Sequence, residues 1–176
     1  RLAIEQNDQS SEPTSTTINF KKSISNGIKN MCFINSVAQQ IFGEKNVNDQ
    51  YDGNIKNNNQ DDYLTFCDSL KNVLNNNFDF NSGEGGFEAT NINLNLINKI
   101  NELLDENKKI KGIVCLYGLS DGTQLGEVKR IEGTAYFQAF STDKSVSNKK
   151  ILVIGTNLGL HFDSYNLNTD VPSSST

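Results

Sequence analysis

The chain has 176 residues, with 16 lysines and arginines against 21 aspartates and glutamates. That length suits one domain that buries its own core without staples. The mildly acidic balance argues against a nucleic-acid phosphate partner, which selects a basic face, and is compatible with a basic protein surface. No apolar run approaches the roughly 20 residues that span a bilayer. No signal-peptide pattern opens the chain, which begins at Arg1 as an excised domain or processed piece does.

The 3 cysteines, Cys32, Cys67 and Cys115, are scattered and odd in number. Without a Cys-x-x-Cys spacing they indicate neither a disulfide framework nor a zinc site, so no metal or cofactor is expected. A reducing compartment, the cytoplasm, fits this usage. Residues 1–17 are polar and rich in Ser, Thr and Glu, and read as a flexible lead-in or an extended arm lying on the domain. The domain itself is expected over 18–169, with a tail over 170–176. Short asparagine runs at 57–59 and 75–77 fall between periodic segments and read as loops.

In chain order, Ile34, Val37, Ala38, Ile41 and Phe42 follow helical spacing, and Gly43 is a natural stop. A second helix is predicted over 61–74, with Tyr63, Cys67, Leu70, Val73 and Leu74 on one face. After the glycine-rich loop 82–86, a third is predicted over 87–104 from Leu96, Ile97, Ile100, Leu103 and Leu104. Strands are then predicted over 113–117, 124–132, 135–140, 151–154 and 158–167. Helices followed by strands give an α+β class, with the helices packed against an antiparallel sheet.

Cys32 lies where the loop Asn26-Gly27-Ile28-Lys29-Asn30-Met31 turns into the first helix. The start of a helix offers partial positive charge and free N–H groups, which favour a thiolate and can receive an oxyanion. Cys67 and Cys115 fall within apolar stripes and read as small buried residues. His161 is the single histidine of the chain. In an extended strand His161, Asp163 and Tyr165 share a face, so Asp163 can orient the imidazole. Cysteine and histidine are separated by 161 − 32 = 129 residues.

The segment Asn30-Met31-Cys32-Phe33-Ile34-Asn35-Ser36-Val37-Ala38-Gln39 resembles the nucleophile box of ubiquitin-specific proteases and viral papain-like proteases. Leu160-His161-Phe162-Asp163-Ser164-Tyr165 resembles the histidine box of the ovarian-tumour (OTU) family of deubiquitinases. Gly85-Gly86-Phe87-Glu88 resembles the Gly-Gly plus acidic segment that opens a helix there. The chain departs from both families. It has no Asp-Gly pair before the cysteine, as OTU domains have, and no Cys-pair zinc site, as ubiquitin-specific proteases have. The latter also place their third residue later, for which Asn166, Asn168 and Asp170 are candidates here.

The resemblance implies a papain-like, OTU-like fold and a cysteine deubiquitinase that hydrolyses the bond at the C-terminus of ubiquitin or a ubiquitin-like modifier. It implies Cys32, His161 and Asp163 as the catalytic set. It further implies Asn26, Asn30 and Met31 at the oxyanion, and Gly85, Gly86 and Glu88 against the substrate tail. Acidic residues near the channel, with Glu84, Glu88, Asp121 and Glu127 as candidates, would suit ubiquitin's basic tail. Such a divergent enzyme would work in the cytoplasm, or in a host's cytoplasm as a secreted effector. Neither nucleic acid nor membrane is expected as a partner. Two other readings remain: a non-catalytic ubiquitin- or protein-binding module of the same fold, and a papain-like endopeptidase or acyltransferase with another substrate.

Overall fold

A computed structural model describes residues 17–24, 26–28, 30–55, 61–78, 80, 86–117, 125–129, 136–140, 150–156 and 161–167. Helix α1 (Cys32–Phe42) is buried from Cys32 to Gln40. A helix enclosed this fully runs through the interior, so its polar side chains need protein partners. Gly43 ends it at φ 102°, and the Gly43 N–H donates to Gln39 O at 3.0 Å.

Helix α2 (Asp62–Asn77) is capped by the Asp61 carboxylate, which accepts the Leu64 N–H at 2.9 Å. It buries Tyr63, Phe66, Cys67, Leu70 and Leu74. Helix α3 (Leu94–Glu102) starts later than its periodicity predicts. Phe87 and Glu88 lead into a 3-10 turn at Ala89–Asn91, and Asn93 then caps α3 by accepting the Leu96 N–H at 2.9 Å. The cap, and not the upstream apolar residues, sets the first turn.

Among the described residues six strands form one sheet: β1 (Thr17–Lys22), β2 (Ile110–Tyr117), β3 (Leu125–Lys129), β4 (Tyr136–Phe140), β5 (Lys150–Thr156) and β6 (Phe162–Leu167), in the order β3-β1-β6-β5-β2-β4. The class is α+β, but the expected antiparallel sheet is corrected. β2 and β5 pair in parallel, with Val114 opposite Val153, while the other neighbours are antiparallel. Both strands are near-continuous apolar runs, as a parallel pair covered on both faces requires. Ile113 and Cys115 point one way and Val114 and Leu116 the other, and all four are buried.

β1 was not among the expected strands. Its two apolar residues, Ile18 and Phe20, alternate with polar ones, and its place comes from pairing with both β3 and β6. Residues 1–16 of the expected arm and 170–176 of the expected tail lie outside the described residues. Among the described residues no helix is long and apolar enough to cross a membrane.

The core lies between the helices and one sheet face, built on Phe33, Ile34, Val37, Leu70, Leu96, Ile97, Ile100, Ile113, Leu152, Ile154 and Phe162. Burying each such side chain contributes about 1.5–3 kcal/mol. α1 packs on β6 and β5, and α3 on β2. The start of α1 is thereby brought to the start of β6.

Candidate active site

Cys32 opens α1. Asn30 has a left-handed backbone (φ 63°), which asparagine tolerates better than most residues. It tightens the loop so that the Met31 N–H donates to Ile28 O at 3.2 Å. The first intrahelical bond runs from the Asn35 N–H to Met31 O at 2.9 Å, so the N–H groups of Cys32, Phe33 and Ile34 belong to the helix's positive end. Gly86 approaches the same loop. It has φ 68°, and a Cβ there would lie 3.5 Å from Asn30 Oδ1.

The start of β6 supplies the other half. The Phe162 N–H donates to Cys32 Sγ at 3.2 Å. His161 Nε2 lies 3.4 Å from Asp163 Oδ2; the histidine side chain is 43% exposed and the aspartate 4%. The other carboxylate oxygen of Asp163 accepts the Asn26 N–H at 2.8 Å. The bond to Asp163, then the bond to Cys32, push the His161 imidazole up to about 10, against the opposing pull of partial burial. The arrangement therefore favours an imidazolium beside the sulfur. Of the later third-residue candidates, Asn166 falls within β6, while Asn168 and Asp170 lie outside the described residues.

Cys32, His161 and Asp163 are thus brought together. Two groups of the expected oxyanion set have partners within the protein. Both Asn26 side-chain hydrogens are committed inside the protein, to Ser36 Oγ at 2.7 Å and to Phe162 O at 3.3 Å. The Met31 N–H is held by Ile28 O. Neither group is left to meet an oxyanion, because buried polar groups take the partner at hand. Asn30 lies in the loop that leads to Cys32.

Of the expected substrate set, Gly85 lies outside the described residues, as do Glu84 and Asp121. Gly86 is against Asn30, and Glu88 is exposed. Glu127 lies in β3, separated from β6 by β1.

Three phenylalanines tie these segments together, each one residue after a site position. Phe33 stacks on Phe87 with ring centroids 4.0 Å apart, and meets Phe162 edge-on at 5.1 Å. Such pairs add about 0.5–1.5 kcal/mol beyond burial and fix relative orientation.

Sequence reasoning missed the support beneath the loop. Asn35 donates to Met31 O (3.0 Å) and Tyr51 O (2.9 Å), and accepts from the Tyr51 N–H (2.9 Å) and the Tyr63 hydroxyl (2.7 Å). Its amide is saturated, and it anchors the residue before Cys32. The available signal was polarity out of place: Asn35, Ser36, Gln39 and Gln40 interrupt an otherwise apolar helix.

The other two cysteines behave as expected of buried thiols. Burial pushes both Cys67 and Cys115 well above the ordinary thiol range. Among the described residues no group of histidine, cysteine or carboxylate side chains is arranged to hold a metal ion. Comparison of the chain with protein-family models, with curated proteins and with solved structures gives no match.

Proposed function

We propose that this chain is a papain-like cysteine hydrolase acting as a deubiquitinase, on the bond at the C-terminus of ubiquitin or a ubiquitin-like modifier. The observation that carries the chemistry is the convergence on Cys32 Sγ of the Phe162 N–H at 3.2 Å, the start of a helix, and a histidine whose proton Asp163 helps to hold. The substrate class comes from the resemblance of the two boxes, and Gly86 beside Asn30 is consistent with a narrow path for a glycine-rich tail.

In this mechanism Nε2 of His161 engages Asp163, leaving Nδ1 to serve the sulfur. The Cys32 thiolate attacks the carbonyl carbon of the modifier's terminal glycine, and the carbonyl electrons move to oxygen. Donors at the start of α1 receive that oxyanion. His161 gives its proton to the departing amine as the C–N bond breaks, leaving a thioester. Neutral His161 then takes a proton from water, whose oxygen attacks the thioester. The second tetrahedral intermediate expels the Cys32 thiolate, which faces a reprotonated His161, and the freed carboxylic acid loses its remaining proton to solvent.

Hydrolysis of a ubiquitin C-terminal fluorogenic amide, measured beside denatured casein, tests this reading. The expected result is release from the ubiquitin substrate, no cleavage of casein, and a loss of about 10³-fold or more in Cys32→Ala. Cleavage of casein without preference for ubiquitin would replace the deubiquitinase by an endopeptidase. Saturable ubiquitin binding with no turnover would make the chain a binding module.

A further inference from the structure

The helix that carries Cys32 and the strand that begins beside His161 are joined by a closed set of polar contacts in the core. Asn26 Nδ2 donates to Ser36 Oγ and to Phe162 O. Gln39 Nε2 donates to Asn26 Oδ1 at 2.8 Å, and Ser164 Oγ donates to Gln39 Oε1 at 3.0 Å. Asn26, Ser36, Gln39 and Ser164 are all at most 3% exposed. The neighbouring Gln40 spans β5 and β6 in a similar way, donating to Tyr165 O at 2.9 Å and accepting the Val153 N–H at 3.1 Å.

Apolar side chains would seal α1 to the sheet at less cost, since each buried polar group must first lose its water. What hydrogen bonds add is direction. They fix the position of Asn26, and the Asn26 N–H is the group that holds Asp163 Oδ1 at 2.8 Å. The chain of contacts therefore runs from Gln39 on α1, through Asn26, to the carboxylate that faces His161.

We propose that Asn26 and Gln39 are positioning residues: with Ser36 and Ser164 they hold Asp163, and through it His161, in register with Cys32. This rests on the reading of Cys32, His161 and Asp163 given above. Cys32 from α1 and Asp163 from β6 are the titratable groups recorded against His161 among the described residues.

The test is the rate of Cys32 alkylation by iodoacetamide as a function of pH, on the full chain and on Gln39→Leu, Ser36→Ala and His161→Ala, each checked for folding by thermal melt. The wild-type profile is expected to carry a step from the His161 imidazolium that His161→Ala lacks. Gln39→Leu moves that step down by about one unit, a tenfold change in the equilibrium. Ser36→Ala moves it in the same direction by less. Loss of packing alone lowers the melting temperature and leaves the profile in place.

A folded Gln39→Leu with the wild-type profile would overturn the proposal. If Gln39→Leu does not fold, an unchanged profile in Ser36→Ala overturns it. A wild-type profile identical to that of His161→Ala would instead remove the Cys32–His161 pair itself, and the positioning role with it.

Discussion

A thiol becomes a nucleophile through what surrounds its sulfur, and the 3 cysteines of this chain differ in that respect. Cys67 lies inside α2 and Cys115 inside β2, where burial disfavours the charged form. Cys32 meets an N–H donor and a histidine at the start of a helix. Brief iodoacetamide treatment of the native protein is therefore expected to modify Cys32 alone, read by peptide mass mapping. Equal labelling of Cys67 or Cys115 would contradict the environments described.

His161 carries a linked prediction at this scale. Its folded value is raised, so the stability it contributes is fully present below about 6.5 and is lost as pH rises through about 10. The melting-temperature difference between wild type and His161→Ala should accordingly be largest near pH 6 and fade toward pH 10. A difference that grew with pH would reverse the assignment.

The grouping of Cys32, His161 and Asp163 was legible in the sequence because these residues leave local marks: a cysteine ahead of an apolar stripe, and an aspartate two residues after the single histidine. The inward setting of the Asn26 amide was not legible, because an asparagine beside Gly27 looks the same whether its amide faces solvent or the core. Only the position of Ser36 and Gln39 around it decides the matter.

At the scale of elements, the site is assembled by contacts between segments far apart in the chain. Phe87 brings the 86–88 segment against Phe33 and so against the turn that precedes α1. Phe87→Ala is expected to cost about 3–5 kcal/mol of stability. It should also reduce turnover well below the melting temperature, because Gly86 loses its hold beside Asn30. Chemical denaturation and an activity assay at low temperature check the two parts separately. Full turnover in a destabilised Phe87→Ala would leave the 86–88 segment with a packing role only.

Periodicity identified α1 and α2 well, since each has an apolar face and a recognisable stop or cap. It misplaced the start of α3 because Phe87 and Ala89 are buried without being helical: their burial comes from tertiary stacking. β1 escaped for the opposite reason, having only two apolar residues and taking its place from two neighbouring strands.

Over the whole molecule, the α+β class follows from helices preceding strands, but the sheet order does not. Alternation and apolar runs report that a segment is extended. They do not report which strand lies beside it, and the parallel β2–β5 pair joins segments separated by β3 and β4. That pair forms part of the floor on which α1 and α3 rest. Helix α1, buried from Cys32 to Gln40 and clamped to β6 by side-chain hydrogen bonds, holds Cys32 and His161 together through the fold itself.

The most direct test of this account is covalent labelling by a ubiquitin that carries a thiol-reactive group at its C-terminus, applied to the wild type and to Cys32→Ala. The account predicts one adduct, on Cys32, in the wild type and none in the variant. A folded wild type that forms no adduct would contradict the claim that Cys32 serves a ubiquitin-directed active site.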